Sequence, residues 1–160
     1  MTDVLTPETL AYRIMALHGV ELLLATEESG APETSWGDRF FYVGPDRKLP
    51  FATIVGRDTP GWDEASDLDR PGVYRVNVHA GAAEFERLLG YPPAGIEQRR
   101  AAIDFARLDE LLPHPAYGRQ GWICVLNPGA RTEADLDALI TVAYRRASEA
   151  DQRRQDRHGR

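Results

Sequence analysis

SWGDRFFYV (residues 35–43), PFATIV (50–55) and VYRVNVH (73–79) are three strand-like runs, and the polar loop GRDTPGWDEASDLDRPG (56–72) separates the last two. Each run is rich in aromatic and β-branched residues and is bounded by glycine and proline, which suits short strands. Gly44-Pro45-Asp46 turns the first run back toward the second, so a hairpin is expected there. The 56–72 loop has no hydrophobic period. Connections that long inside a compact domain are more often functional than short ones.

On the N-terminal side, Thr6-Pro7-Glu8 opens a helix: a hydroxyl to cap it, proline in its first turn and an acid at the positive end of its dipole. Leu10, Ile14 and Leu17 form its apolar face, and Gly19 ends it. Residues 20–26 read as a first strand or as the close of that helix. Toward the C-terminus, Phe85, Leu88 and Leu89 mark a short helix closed by Gly90, and 91–102 an irregular excursion. Leu108, Leu111 and Leu112 mark another short helix stopped by Pro113. Residues 122–126 are the last strand. Thr132 and Asp135 resemble a capping box, and Leu136, Leu139, Ile140 and Ala143 give the clearest helical stripe of the chain. Helix, antiparallel strands, helices, strand, helix is the order of an α+β domain, a mainly antiparallel sheet with helices packed on one face and the other left free. One domain is expected over residues 1–150, followed by a basic, fraying tail at 151–160.

Composition narrows the function classes. The 160 residues carry a net charge of −6, with 25 acids against 19 bases, and phosphate contacts need a basic surface, so no nucleic-acid partner is expected. No apolar run approaches a membrane span, and the polar start MTDVLTPETLAYR is not a signal peptide. With Cys124 as the single cysteine, a disulfide within the chain and a cysteine-rich metal site are both excluded, and a cytoplasmic location is expected. No glycine-rich phosphate loop is present, so no nucleotide cofactor is expected. The acids of the 56–72 loop do not have the spacing of a calcium loop, and no metal is expected.

Several motifs resemble a known family. Trp36-Gly37-Asp38 with Phe40-Phe41, Pro50-Phe51-Ala52-Thr53-Ile54, Asp69-Arg70-Pro71-Gly72-Val73-Tyr74-Arg75, Pro113-His114-Pro115 and Gly121-Trp122 are similar to a family of small bacterial proteins classed as a domain of unknown function. More distantly, the strand at Trp122 and the long helix to Tyr144 resemble the MmcQ/YjbR-like proteins. That likeness implies a CyaY-like α+β fold. The DNA-binding label often attached to those proteins does not suit the acidic body of this chain.

Strand alternation puts Arg75, Asn77 and His79 on one face of their strand and Tyr74, Val76 and Val78 on the other. Arg75 is a candidate clamp for a carboxylate or phosphate, or else the partner of Asp38 or of a loop aspartate. Trp36 can wall a pocket or lie buried. Asp38 can act as a base or hold a turn. Trp62, on the loop with Asp58, can close over a pocket or stand in water. His114, stiffened between two prolines, can move protons or hold a loop. The leading expectation is a small polar or anionic ligand held between the Arg75/Asn77/His79 face, Trp36 and the Trp62 loop. The alternatives are a cofactor-independent enzyme for proton transfer or hydrolysis, using Asp38 and His114 with Arg75, and a homodimeric interaction module built on the free sheet face and the tail.

Overall fold

The computed structural model describes residues 5–159. Helix α1 (Pro7–Met15) starts where the sequence places it. Thr6 is extended, and its Oγ1 accepts the Thr9 backbone N–H at 3.1 Å. Such a cap contributes about 1 kcal/mol. Six strands follow in one sheet: β1 (Val20–Leu24), β2 (Arg39–Val43), β3 (Ala52–Val55), β4 (Arg75–His79), β5 (Leu112–Pro113) and β6 (Trp122–Leu126). Their order is β1-β2-β3-β4-β6-β5, and every pairing is antiparallel. Helices α2 (Ala82–Leu89), α3 (Ile96–Arg99) and α4 (Glu133–His158) complete the α+β fold.

The helices lie on one face of the sheet. Leu10 and Ile14 of α1, Phe85 of α2 and Leu136 and Leu139 of α4 are buried against Phe41, Ile54, Val76, Val78, Ile123 and Val125. Each such side chain removed from water contributes roughly 1.5–3 kcal/mol, so this layer supplies most of the cohesion.

The opposite face is not free. Loop 56–72 and the segment around Ile103 to Leu112 fold over its β4–β6 half. There Leu68, Leu112, Cys124 and Leu126 form a second, smaller core, with Val55, Val73 and Ile103 at its margin. Arg70 bolts the two segments together, donating to the carbonyls of Ser66 at 3.1 Å, Asp67 at 2.7 Å and Ala106 at 2.9 Å. The loops therefore cover the β4–β6 half of the face that the sequence left free.

The helix expected at 108–112 is absent. Asp109 adopts a left-handed φ of 54°, and the two prolines beyond it favour extended backbone. Leu112 pairs with Cys124 as part of β5, and Leu108 bridges Leu126. The helical spacing of Leu108, Leu111 and Leu112 is coincidental. The capping box at Thr132 also fails to form. Its hydroxyl donates to Asp109 Oδ1 at 2.6 Å, and Asp109 accepts the backbone N–H groups of Gly129 at 2.8 Å and Arg131 at 3.2 Å. The acid that anchors the entrance to α4 comes from over 20 residues upstream.

Residues 20–24 are strand, and 93–102 coil into short helical turns around α3, with Ile96 buried. At the other end α4 does not stop near residue 150 but continues to His158, with Arg154 Nε 3.3 Å from Asp46 Oδ2 in the β2–β3 turn. Gly44 in that turn has a φ of +83°, and a Cβ there would overlap the Asp151 carboxylate. The positive φ favours glycine, and a larger residue would have to push the Asp151 side chain aside.

Candidate functional site

On the loop-covered face, strand register lays out a grid. Phe40 of β2 sits opposite Thr53 of β3, Thr53 opposite Asn77 of β4, and Asn77 opposite Cys124 of β6; Val55 is opposite Arg75, and Arg75 opposite Leu126. Partners across an antiparallel pair share a face, so these side chains form one surface. Between it and the loops lies a cleft of about 520 Å³, whose lining includes Asp38, Thr53, Trp62, Arg75, Asn77 and His114.

Arg75 organises the surface. It is 1% exposed, and four of the five N–H groups of its guanidinium donate to oxygen acceptors, the fifth being turned toward the His114 ring. Nε donates to Asn77 Oδ1 at 2.7 Å; Nη1 to Asp63 Oδ1 at 3.0 Å and Ser66 Oγ at 2.8 Å; Nη2 to Asp63 Oδ2 at 2.6 Å, with His114 Nε2 3.1 Å away. The partner is therefore a loop aspartate, held bidentately. Burial pushes the Asp63 carboxyl up, but the Arg75 hydrogen bonds and charge outweigh it and hold it below its ordinary value. The tight turn carrying Asp63 closes through reciprocal backbone bonds between Thr59 and Asp63 at 2.8 and 2.9 Å, helped by a positive φ of 76° at Gly61. Trp62, next to Asp63, projects from its tip 63% exposed, its ring 6.1 Å from that of Tyr117.

The network continues in one direction. Asn77 accepts the Arg75 Nε–H on Oδ1 and donates from Nδ2 to Thr53 Oγ1 at 2.9 Å. Thr53 therefore keeps its own hydroxyl proton for another acceptor, and it lines the cleft. Chains of this kind polarise each member toward the charged end, which strengthens the final O–H as a donor.

His114 is buried at the inner end. Its Nδ1 faces the backbone N–H groups of Ala116 and Tyr117, each at 3.0 Å, while Nε2 faces Arg75. Both ring nitrogens thus meet donors. Burial first, and the Arg75 charge second, push its pKa down to about 3, with Asp63 opposing. The ring stays neutral at ordinary pH and has one acceptor nitrogen, which Nδ1 supplies to the 113–117 turn, while Nε2 packs against Arg75.

Asp38 is the contrasting acid. It is half-buried just before β2, and burial raises its pKa to about 6, against the pull of the Gly56 N–H, Arg57 and Arg75. A carboxyl titrating there is a hydrogen-bond acceptor at pH 7 and a workable general base. The remaining walls are aromatic: Phe40, Trp62, Tyr117 and Trp122.

Asp38, Trp62, Arg75, Asn77 and His114 thus share the cleft. Trp36, His79 and Asp58 do not line it. Trp36 donates its indole N–H to the Ala31 carbonyl at 3.0 Å and lines a smaller hollow behind Asp38, beside Pro7 and Tyr74. His79 stacks on Trp122 with ring centres 5.1 Å apart, and its Nε2 lies 3.1 Å from the Gln120 carbonyl oxygen. It faces a separate hollow against α4 with Arg146. Asp58 closes the base of the loop, accepting the Leu68 N–H at 2.8 Å, while its own N–H donates to Asp69 at 3.2 Å. Sequence reasoning missed Thr53, Phe40, Tyr117 and Trp122 as lining residues and did not single out Asp63 among the loop acids. Alternation on β2 and β3 would have flagged Phe40 and Thr53, but only once their register against β4 was known.

No curated protein and no solved structure matches the chain. Residues 5–156 match a family described as "Family of unknown function (DUF6194)", and since that match takes in both cores and every wall of the cleft, the chain belongs to that family.

Proposed function

We propose that the protein binds a small polar molecule in the cleft between the Thr53/Asn77 face of the sheet and the Trp62 loop. The observation that carries this reading is the convergence of Asp38, Thr53 and Trp62 on one cavity around a buried, ion-paired Arg75. A fixed scaffold with a few aimed polar groups and apolar walls is the usual construction of a ligand site. The exposed Trp62 provides a test that spares the fold. Native mass spectrometry of the full chain exposed to a bacterial metabolite extract is expected to show a bound small molecule, retained at least several-fold less by Trp62→Ala. Equal retention by the variant, or no bound species, would remove the cleft from consideration.

A second reading is favoured by the Asp38 carboxyl itself, a half-buried acid whose pKa sits close to working pH. It makes Asp38 the base of a cofactor-independent proton transfer or hydrolysis, with the polarised Thr53 hydroxyl facing the substrate. A substrate consumed by the wild type and equally by Asp38→Asn excludes it. The strand at Trp122 followed by α4 supports a distant kinship with YjbR-like proteins, and the single, buried cysteine supports a bacterial cytoplasmic setting.

A further inference from the structure

The charges around the cleft say which kind of molecule it suits. Arg75 is its one cationic side chain among the described residues; four of its five N–H groups are spent on Asn77, Asp63 and Ser66, and the fifth is turned to the buried His114 ring. Its charge is already matched by the bidentate Asp63 carboxylate, 2.6 Å away at the nearer oxygen. An anion entering the cleft would have to break that buried pair, leaving charge uncompensated at a cost of several kcal/mol. Asp38 is different. It lines the same cavity, and among the described residues no side-chain cation forms a salt bridge with it; Arg57 and Arg75 act on it only at longer range, with Asp63 opposing. With Asp38 ionised, the lining carries one positive and two negative side chains, a balance of −1.

The walls add a second, independent indication. Phe40, Trp62, Tyr117 and Trp122 surround the space, and the Trp62 and Tyr117 rings are tilted 56° to each other, as two sides of a corner. Aromatic faces carry negative quadrupole density and attract organic cations by roughly 0.5–2 kcal/mol per ring. Rings beside one unpaired carboxylate are the arrangement that recognises an ammonium group on an apolar frame.

We infer that the cleft selects a small organic cation, its ammonium set against the Asp38 carboxylate and its apolar part lodged in the corner between Trp62 and Tyr117. This rests on the ligand-binding reading above and narrows it from polar molecules in general to amines, turning away the anions for which Arg75 seemed suited. Because Asp38 must be ionised to receive the cation, affinity rises with pH through about 6 and levels off above 7.

Three probes of nearly equal shape separate the ideas: benzylammonium, benzyl alcohol and benzoate, titrated into the isotope-labelled full chain and followed by NMR at the Trp62 indole N–H and the Thr53 and Tyr117 amides. At pH 7.5 benzylammonium is expected to bind about tenfold more tightly than benzyl alcohol, with benzoate weakest. At pH 5 the preference for the cation should fall several-fold. Asp38→Asn should bring benzylammonium down to the level of the alcohol, and Asp38→Glu should keep most of the preference. The unchanged amide pattern of both variants away from the cleft reports that they are folded. Should the alcohol or benzoate shift the cleft resonances as strongly as the cation, the cleft stands as a binding site and the charge selection is overturned. Perturbation of no cleft resonance by any probe overturns both.

Discussion

The two faces of one sheet are built on opposite principles. Toward the helices, Phe41, Ile54, Val76, Val78, Ile123 and Val125 meet an apolar layer that needs only shape and volume. Toward the loops, neighbouring positions on the same strands carry Thr53, Arg75 and Asn77, nearly as inaccessible as the core, yet polar or charged. The first face holds the molecule together with non-directional burial. The second holds a constellation in place with hydrogen bonds whose directions are fixed. A buried ion pair is seldom a net source of stability against a hydrophobic alternative, so its presence here points to positioning.

The largest way to break the contrast is to remove one partner from the polar face. Asp63→Ala leaves Arg75 buried without its counter-charge and should cost about 3–5 kcal/mol in urea denaturation. The paired change Arg75→Met with Asp63→Leu should recover most of that loss while abolishing ligand binding. If the single variant is as stable as the wild type, the pair does not anchor the loop.

Asp109→Ala comes next. It strips the entrance of α4 of a carboxylate that takes three hydrogen bonds and should cost about 1–2 kcal/mol. A melting temperature unchanged from wild type would show that water caps the helix equally well.

Acid should distinguish the carboxylates. Asp63 and Asp109 are both held below their ordinary values; for Asp109 burial pushes upward, but the Thr132 hydroxyl and the backbone N–H groups of Gly129 and Arg131 outweigh it. Groups depressed in the folded state contribute stability that is present above the unfolded pKa and is lost as pH falls through the folded one. Stability should therefore drop as pH falls below about 4. In Asp63→Asn this acid-dependent loss should be smaller, which a series of denaturation curves from pH 7 to pH 3 checks.

Asp38 gives the smallest effect, with the reverse sign. Its carboxyl is raised to about 6, so ionisation opposes folding once pH exceeds the unfolded value. Asp38→Asn at pH 7 should gain about 1 kcal/mol, allowing for solvent screening of a partly exposed group. A variant less stable than the wild type would make Asp38 a structural residue instead.

How legible each face was in the sequence follows from the same contrast. Helical stripes such as Leu136, Leu139, Ile140 and Ala143, and the alternation of Tyr74, Val76 and Val78, are local patterns, and they were enough for the α+β class and for most elements. Arg75 and Asn77 could be placed on a shared face for that reason. The partner of Arg75 could not be chosen among the loop acids, because a turn at Gly61 decides which of them reaches back to the sheet. Trp36 and His79 looked like neighbours of Arg75 along the chain, but one tucks under its own loop and the other stands past the end of the cleft. The spacing of Leu108, Leu111 and Leu112 misled for a related reason. Asp109 is recruited by the distant N-terminus of α4, and long-range capping overrode a local helical period.

The last turns of α4 tie the end of the chain to the region around the mouth of the cleft. Through Arg154 and Asp151 the helix presses on the β2–β3 turn, and Leu49 and Pro50, which leave that turn, form one rim of the cavity. The end of α4 thus works as a buttress. Shortening the protein at residue 150 would remove the brace behind that rim.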